Sequence, residues 1–179
     1  MTRKTWFRTL PALALIAGGL MLIPARAQSA SAVVNLSVNV PTTGELTITA
    51  GSAITLTQTG NTFTQPWTSS SPTQVLFSYR ASKASGSVSL NVQATNFVGS
   101  DTNVPPLSNL SIQATAGTIS SGTLTTTAIP LATTPTTLFT NGAGSHAMGQ
   151  SFSVQYTLAA GDYAADTYTS KVTYTLAWL

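Results

Sequence analysis

Three observations predict an all-β fold, an antiparallel two-sheet β-sandwich of immunoglobulin-like build. Apolar side chains recur at every second position in one stretch after another between Val34 and Trp178, the period of a strand with one buried and one wetted face. After the N-terminal leader no stretch carries the i, i+3, i+4 spacing of an amphipathic helix. The alternating stretches are short and bounded by Gly, Pro, Asn and Ser clusters, so each has an apolar face that a second sheet must cover. A closed barrel is the alternative way to cover it.

The first 27 residues predict a secretory signal peptide. Arg3, Lys4 and Arg8 precede the apolar run Leu10 to Ile23, and Ala25-Arg26-Ala27 offers small residues for cleavage before Gln28. That run is 14 residues long, short of the roughly 20 needed to span a bilayer as a helix. The mature chain is expected to run from Gln28 to Leu179 as a single domain of 152 residues, enough to bury about 70% of its unfolded surface.

Along that chain the period of two marks about eight strands. They are Val34, Leu36, Val38 and Val40; Leu46 and Ile48; Ile54 and Leu56; Val75, Phe77 and Tyr79; Val88, Leu90, Val92 and Ala94; Leu110, Ile112 and Ala114; Phe152, Val154, Tyr156 and Leu158; and finally Val172, Tyr174, Leu176 and Trp178. Turn residues fill the gaps between them. The segment 117–149 is Thr-rich and without clear alternation, so long loops or a short hairpin are expected there. The given sequence closes inside its last expected strand, so no sorting signal or anchor is expected there.

Composition narrows the function. Four of the seven basic residues lie in the leader, so the mature chain holds three basic and four acidic side chains, a net charge of −1. It has no basic stripe with which to displace counterions from nucleic acid. There are no cysteines, so a secreted fold must rely on packing and strand pairing. About a third of the mature residues are Ser or Thr, interleaved with Val, Ile, Leu, Phe and Tyr in the manner of a sheet.

No enzyme is expected. The mature chain's one histidine, His146, sits beside Ser145 in a Gly-rich turn, which does not supply a base held by a third group and facing a nucleophile. One His, no Cys and four scattered acids make no tetrahedral metal set. Asp101, Asp162 and Asp166 fit no calcium loop and read as turn residues. No metal and no cofactor is expected. Lys171 alternates with Val172 and so faces solvent, and Lys83 lies in a turn, which argues against an internal Lys–Asn crosslink. Phe77, Tyr79, Phe152, Tyr156, Tyr174 and Trp178 share apolar faces and read as core. Trp67 follows Pro66 in a Ser/Thr-rich loop and reads either as a contact for a glycan or partner or as a lid on the core. Asn35 and Asn109, each in "NLS", are glycosylation acceptors only in a host that uses them.

Two family resemblances sharpen this. The stretch "ADTYTSKVTYTL" (165–176) resembles the closing strand of WxL domains, secreted modules of Gram-positive surfaces. Tyr168 falls on the family tyrosine, and Tyr174 and Leu176 on the Trp-x-Leu pair. "NGAGSHAMG" resembles that family's Gly-rich turn, and "VSLNVQATNFVGSDTNVPPLSNLSIQAT" its middle strands. The likeness spans Val75 to Leu176. Tyr174 stands where the family has Trp, Asp166 where it has Gly, and the first triplet position reads "SVSL" at 87–90. The resemblance implies a non-enzymatic module held without covalent links to the cell wall or an envelope polysaccharide at the cell surface, with Tyr168, Tyr174 and Leu176 as contact residues; Trp67, outside its span, joins them as a loop aromatic.

The second resemblance lies at the other end. "AVVNLSVNV" followed by a proline is similar to the N-terminal segment of cysteine-free chaperone-usher fimbrial subunits. It implies a pilus subunit that forms homo-polymers, with residues 32–40 as a donor strand whose Val34, Leu36, Val38 and Val40 fill the next subunit's groove. The alternative for this segment is a first strand paired within its own sheet. Both resemblances place the protein outside the cell, bound to a surface polysaccharide or to other surface proteins.

Overall fold

A computed structural model describes residues 36–58, 64–84 and 86–178. The expected leader, with Val34 and Asn35, lies outside the described residues. Asn39–Leu179 forms one compact unit, and Met1–Val38 another, of which only 36–38 are described.

The described residues form eleven strands: β1 (Thr43–Ala50), β2 (Leu56–Gln58), β3 (Trp67–Ser69), β4 (Thr73–Arg80), β5 (Val88–Ala94), β6 (Leu110–Ala116), β7 (Thr123–Leu124), β8 (Ile129–Pro130), β9 (Thr136–Asn141), β10 (His146–Leu158) and β11 (Val172–Trp178). A single 3₁₀ turn, Leu107–Asn109, precedes β6. All named ladders are antiparallel and fall in two sheets. The fold is therefore the β-sandwich that alternation predicts, and no helix among the described residues is long and apolar enough to cross a membrane.

The larger sheet is built on β10, which pairs with β6 along one edge and with β4 and then β3 along the other; β1 and β2 complete that side and β8 extends β6. The smaller sheet runs β11-β5-β9-β7. Between them lies a core of Phe77, Phe152, Val75, Val154 and Ile112 from the first sheet and Val88, Leu90, Val92 and Phe139 from the second, each at most 1% exposed. Phe77 sits edge-on to Phe139 with ring centroids 5.0 Å apart, a favoured aromatic geometry. The buried Gln150 takes a hydrogen bond from the Ser120 N–H at 2.8 Å and donates to Ser120 Oγ at 2.9 Å, which ties the loop after β6 to the bulged start of β10.

Two expectations are corrected. The segment 117–149, expected to be loop or a short hairpin, supplies β7, β8, β9 and the start of β10. In β9 the register skips Leu138, so that Leu90 pairs Phe139 and Asn91 pairs Thr137. This bulge lets the consecutive residues Leu138 and Phe139 both turn inward, and two adjacent core residues erase the alternation by which a strand is recognised. The second correction concerns the first expected strand. Its described part, Leu36 to Val40, belongs to no strand, and Leu36, Val38 and Val40 are 87%, 72% and 56% exposed.

Candidate binding groove

The edge strands of the two sheets lie side by side without pairing. β1 ends one sheet and β11 the other; the two are in contact, but no ladder joins them among the described residues. Each thus keeps one edge without a ladder among the described residues, the arrangement that invites another strand.

The two meet at an aromatic ring. Trp178 lies so close over Gly44 that a Cβ there would sit 2.5 Å from the indole Cε3, and only glycine permits that approach. Beyond Ile48 the edge breaks at Gly51, whose φ of 68° suits glycine, and β2 resumes at Leu56. Its partner breaks at the same level, between β3 and β4, at Ser70-Ser71-Pro72. Thr73 bridges the two breaks by donating from Oγ1 to the Gly51 carbonyl at 2.8 Å. The doubly broken hairpin peels the edge from the core and opens a cavity of about 760 Å³. Its lining includes Ile48, Ile54, Leu158, Val172 and Tyr174.

Three of the four contact residues expected from the sequence meet here. Trp67, Tyr168 and Tyr174 all line the cavity, whereas Leu176 is 8% exposed and packs in the core. Trp67 is half-buried with its ring 5.4 Å from that of Tyr163, so the indole covers the core as a lid. Tyr174 spans the sandwich: its hydroxyl meets that of Tyr156 at 2.8 Å. Burial, and then the neighbouring Tyr156, push the Tyr174 phenol well above its ordinary range. Tyr168 packs on Gly99, and its hydroxyl lies 2.9 Å from the Ala164 carbonyl oxygen and 3.3 Å from that of Asn103. Burial, then the Asp101 and Asp166 carboxylates, raise its pKa.

The acids beside it act as loop clasps. Asp166 Oδ2 accepts from the Ser100 N–H at 2.5 Å, Ser100 Oγ at 2.9 Å and the Asp101 N–H at 3.0 Å, while Oδ1 accepts from the Thr167 N–H at 2.7 Å. The Thr167 bond, then those from Asp101 and Ser100, hold the carboxyl below its usual pKa. His146 is exposed at the start of β10, and Ser145 Oγ donates to the Gly142 carbonyl at 2.6 Å. Lys171 and Lys83 are exposed.

Sequence reasoning did not find Gly44, Gly51 or Tyr163. The signal for the break was present as turn residues at matching levels of two consecutive strands, Gly51-Ser52 and Ser70-Ser71-Pro72. Gly44 and Tyr163 act only through long-range packing, which local pattern does not report. Comparison with protein-family models, curated proteins and solved structures found no match to this chain.

Proposed function

We propose that the protein is a non-enzymatic, extracellular structural subunit of a surface fibre, an immunoglobulin-like sandwich completed when residues 32–40 of one copy add a strand between β1 and β11 of the next. The observation that carries this reading is an apolar alternation whose described part is exposed and pairs with no strand among the described residues. Leu36, Val38 and Val40 are exposed and belong to no strand, although side chains of this kind gain roughly 1.5–3 kcal/mol each on full burial. The complement is two edge strands without a ladder between them among the described residues and a cavity lined by Ile48 of β1 and Val172 and Tyr174 of β11. Backbone pairing would supply affinity, and alternate side chains entering the groove would supply register.

The cell-wall reading draws support from Trp67 and Tyr168 sharing one cavity, since aromatic rings also stack on sugars. Leu176 is buried and the Tyr174 hydroxyl is engaged by Tyr156, which favours a strand over a polysaccharide as occupant.

A titration separates the two. A variant lacking residues 32–40 is mixed with a peptide of that sequence while tryptophan fluorescence is followed. Saturable binding is expected, together with its loss when Leu36 and Val38 of the peptide are replaced by Asp. No binding of either peptide, with co-sedimentation on isolated peptidoglycan instead, overturns the fibre reading in favour of the wall-binding one.

A further inference from the structure

The cavity beside the broken edge contains two tyrosines whose hydroxyls are not fully spent. We propose that this cavity binds a neutral, largely apolar, ring-bearing molecule, seated on the paired hydroxyls of Tyr156 and Tyr174 through one oxygen that accepts a hydrogen bond. This goes beyond the fibre reading and does not depend on it, since every residue on the described lining belongs to the Asn39–Leu179 unit.

Two phenols carry two protons. The Tyr156 and Tyr174 oxygens lie 2.8 Å apart, so one hydroxyl donates to the other and the receiving hydroxyl keeps a proton of its own. No further acceptor for either hydroxyl lies within hydrogen-bond distance among the described residues. Tyr156 is 6% exposed, Tyr174 is half-buried, and both line the cavity. A buried donor is costly to leave without a partner, so the pair favours an occupant that brings an acceptor. Burial holds the Tyr174 phenol well above its ordinary pKa, and the donor therefore keeps its proton at neutral pH.

Charge excludes ions as the occupant. Asp166 is the one charged side chain on the described lining, and its carboxylate already accepts from the Ser100 N–H and hydroxyl and from the N–H groups of Asp101 and Thr167. An anion meets no cation there, and a cation meets a carboxylate already surrounded by donors; an unpaired ion is costly to bury. A sugar is ill-matched too, because each of its hydroxyls needs a partner. Three hydroxyls on the lining are already spent as donors, those of Thr73 on the Gly51 carbonyl at 2.8 Å, Ser170 on that of Thr95 at 2.6 Å and Tyr168 on that of Ala164 at 2.9 Å.

The remaining wall suits apolar rings. Ile54, Leu110 and Leu158 supply aliphatic surface, and Trp67, Phe97 and Tyr163 supply aromatic surface, to which a ligand ring packs offset or edge-on. The volume of about 760 Å³ is of the size that takes small molecules, and a mostly apolar wall with a few placed polar groups is the usual chemistry of such sites.

Calorimetric titration with two probes tests the assignment: benzophenone, two phenyl rings about one carbonyl, and diphenylmethane, in which a methylene replaces the carbonyl. The protein is the full chain carrying Leu36→Asp/Val38→Asp, which stays a single copy whether or not the fibre reading holds, so failure of one proposal leaves the other untouched. Adding Tyr156→Phe/Tyr174→Phe removes both hydroxyls and leaves an apolar pair of similar shape, a replacement that folds tolerate well. Benzophenone is expected to bind saturably and to weaken about tenfold in the double Phe variant, the worth of one good hydrogen bond. Diphenylmethane, with no acceptor, should bind both proteins alike. Either single Phe variant retains one donor and should hold benzophenone nearly as well as the unsubstituted pair. Irradiation, which couples the benzophenone carbonyl carbon to a nearby C–H carbon, should label the lining, as at Leu110 or Leu158. Equal weakening of both probes in the double Phe variant, or an unchanged benzophenone affinity, would show that the hydroxyl pair does not seat the ligand. Absence of saturable benzophenone binding, or labelling confined to residues outside the cavity, would show that no such molecule enters it. Each of these results overturns the inference.

Discussion

Among single side chains, Asp166 shows how one uncharged fold uses a charge. The resemblance to WxL domains places a glycine here, but the aspartate gathers donors from Ser100, Asp101 and Thr167 and so fastens the loop after β5 to the approach to β11. These bonds form to the ionised carboxylate and lower its pKa in the folded chain. A group whose folded pKa is depressed stabilises the protein at pH values above its unfolded pKa and ceases to do so as the pH falls through the folded value. Amide hydrogen exchange in residues 99–103 is therefore expected to quicken as the pH is lowered below about 4, after correction for intrinsic exchange. In Asp166→Asn that loop should exchange quickly at neutral pH and show little further change on acidification. A loop equally protected in both proteins would mean that the carboxylate is not the clasp. Nothing in the sequence identified this role: three of the four donors, the Ser100 N–H and hydroxyl and the Asp101 N–H, lie some 65 residues away, and spacing alone marked Asp166 only as a turn residue.

At the level of elements, legibility followed the period of two. β1, β4, β5, β6, β10 and β11 each alternate and were each legible, because one face meets the core and the other meets water. β9 was not legible, although it is central to its sheet, because the bulge at Leu138 places two apolar neighbours on the same side. Phe139 is fully buried against Phe77 and Tyr79, so Phe139→Ala is expected to destabilise the sandwich by about 3–5 kcal/mol in urea unfolding. A loss below about 1 kcal/mol, the range of ordinary exposed substitutions, would show that β9 does not occupy the core. Leu36 to Val40 is the opposite case, since the alternation is plain but the described chain provides no partner strand for it. Pattern reports what a segment can bury; topology decides against what. The groove was legible only as its separate parts, Trp67, Tyr168 and Tyr174, because the breaks that bring them together at Gly51 and Ser70-Ser71-Pro72 lie on different strands.

For the molecule as a whole, three features meet: a sandwich in which β1 and β11 each end a sheet with no ladder between them among the described residues, a cavity beside a doubly broken edge, and an apolar segment, Leu36 to Val40, that is exposed. Low charge and the absence of cysteine fit a subunit whose cohesion comes from strand pairing along a fibre. The most direct measurement compares assembly of the chain from Gln28 onward with that of its Leu36→Asp/Val38→Asp variant, by light scattering and electron microscopy at equal concentration. Since both side chains are largely exposed in the single copy, the substitutions should leave the folding stability of one sandwich within about 0.5 kcal/mol and abolish fibres. A variant that assembles as readily as the unsubstituted chain, or an unsubstituted chain that stays monomeric at every concentration, would contradict the account.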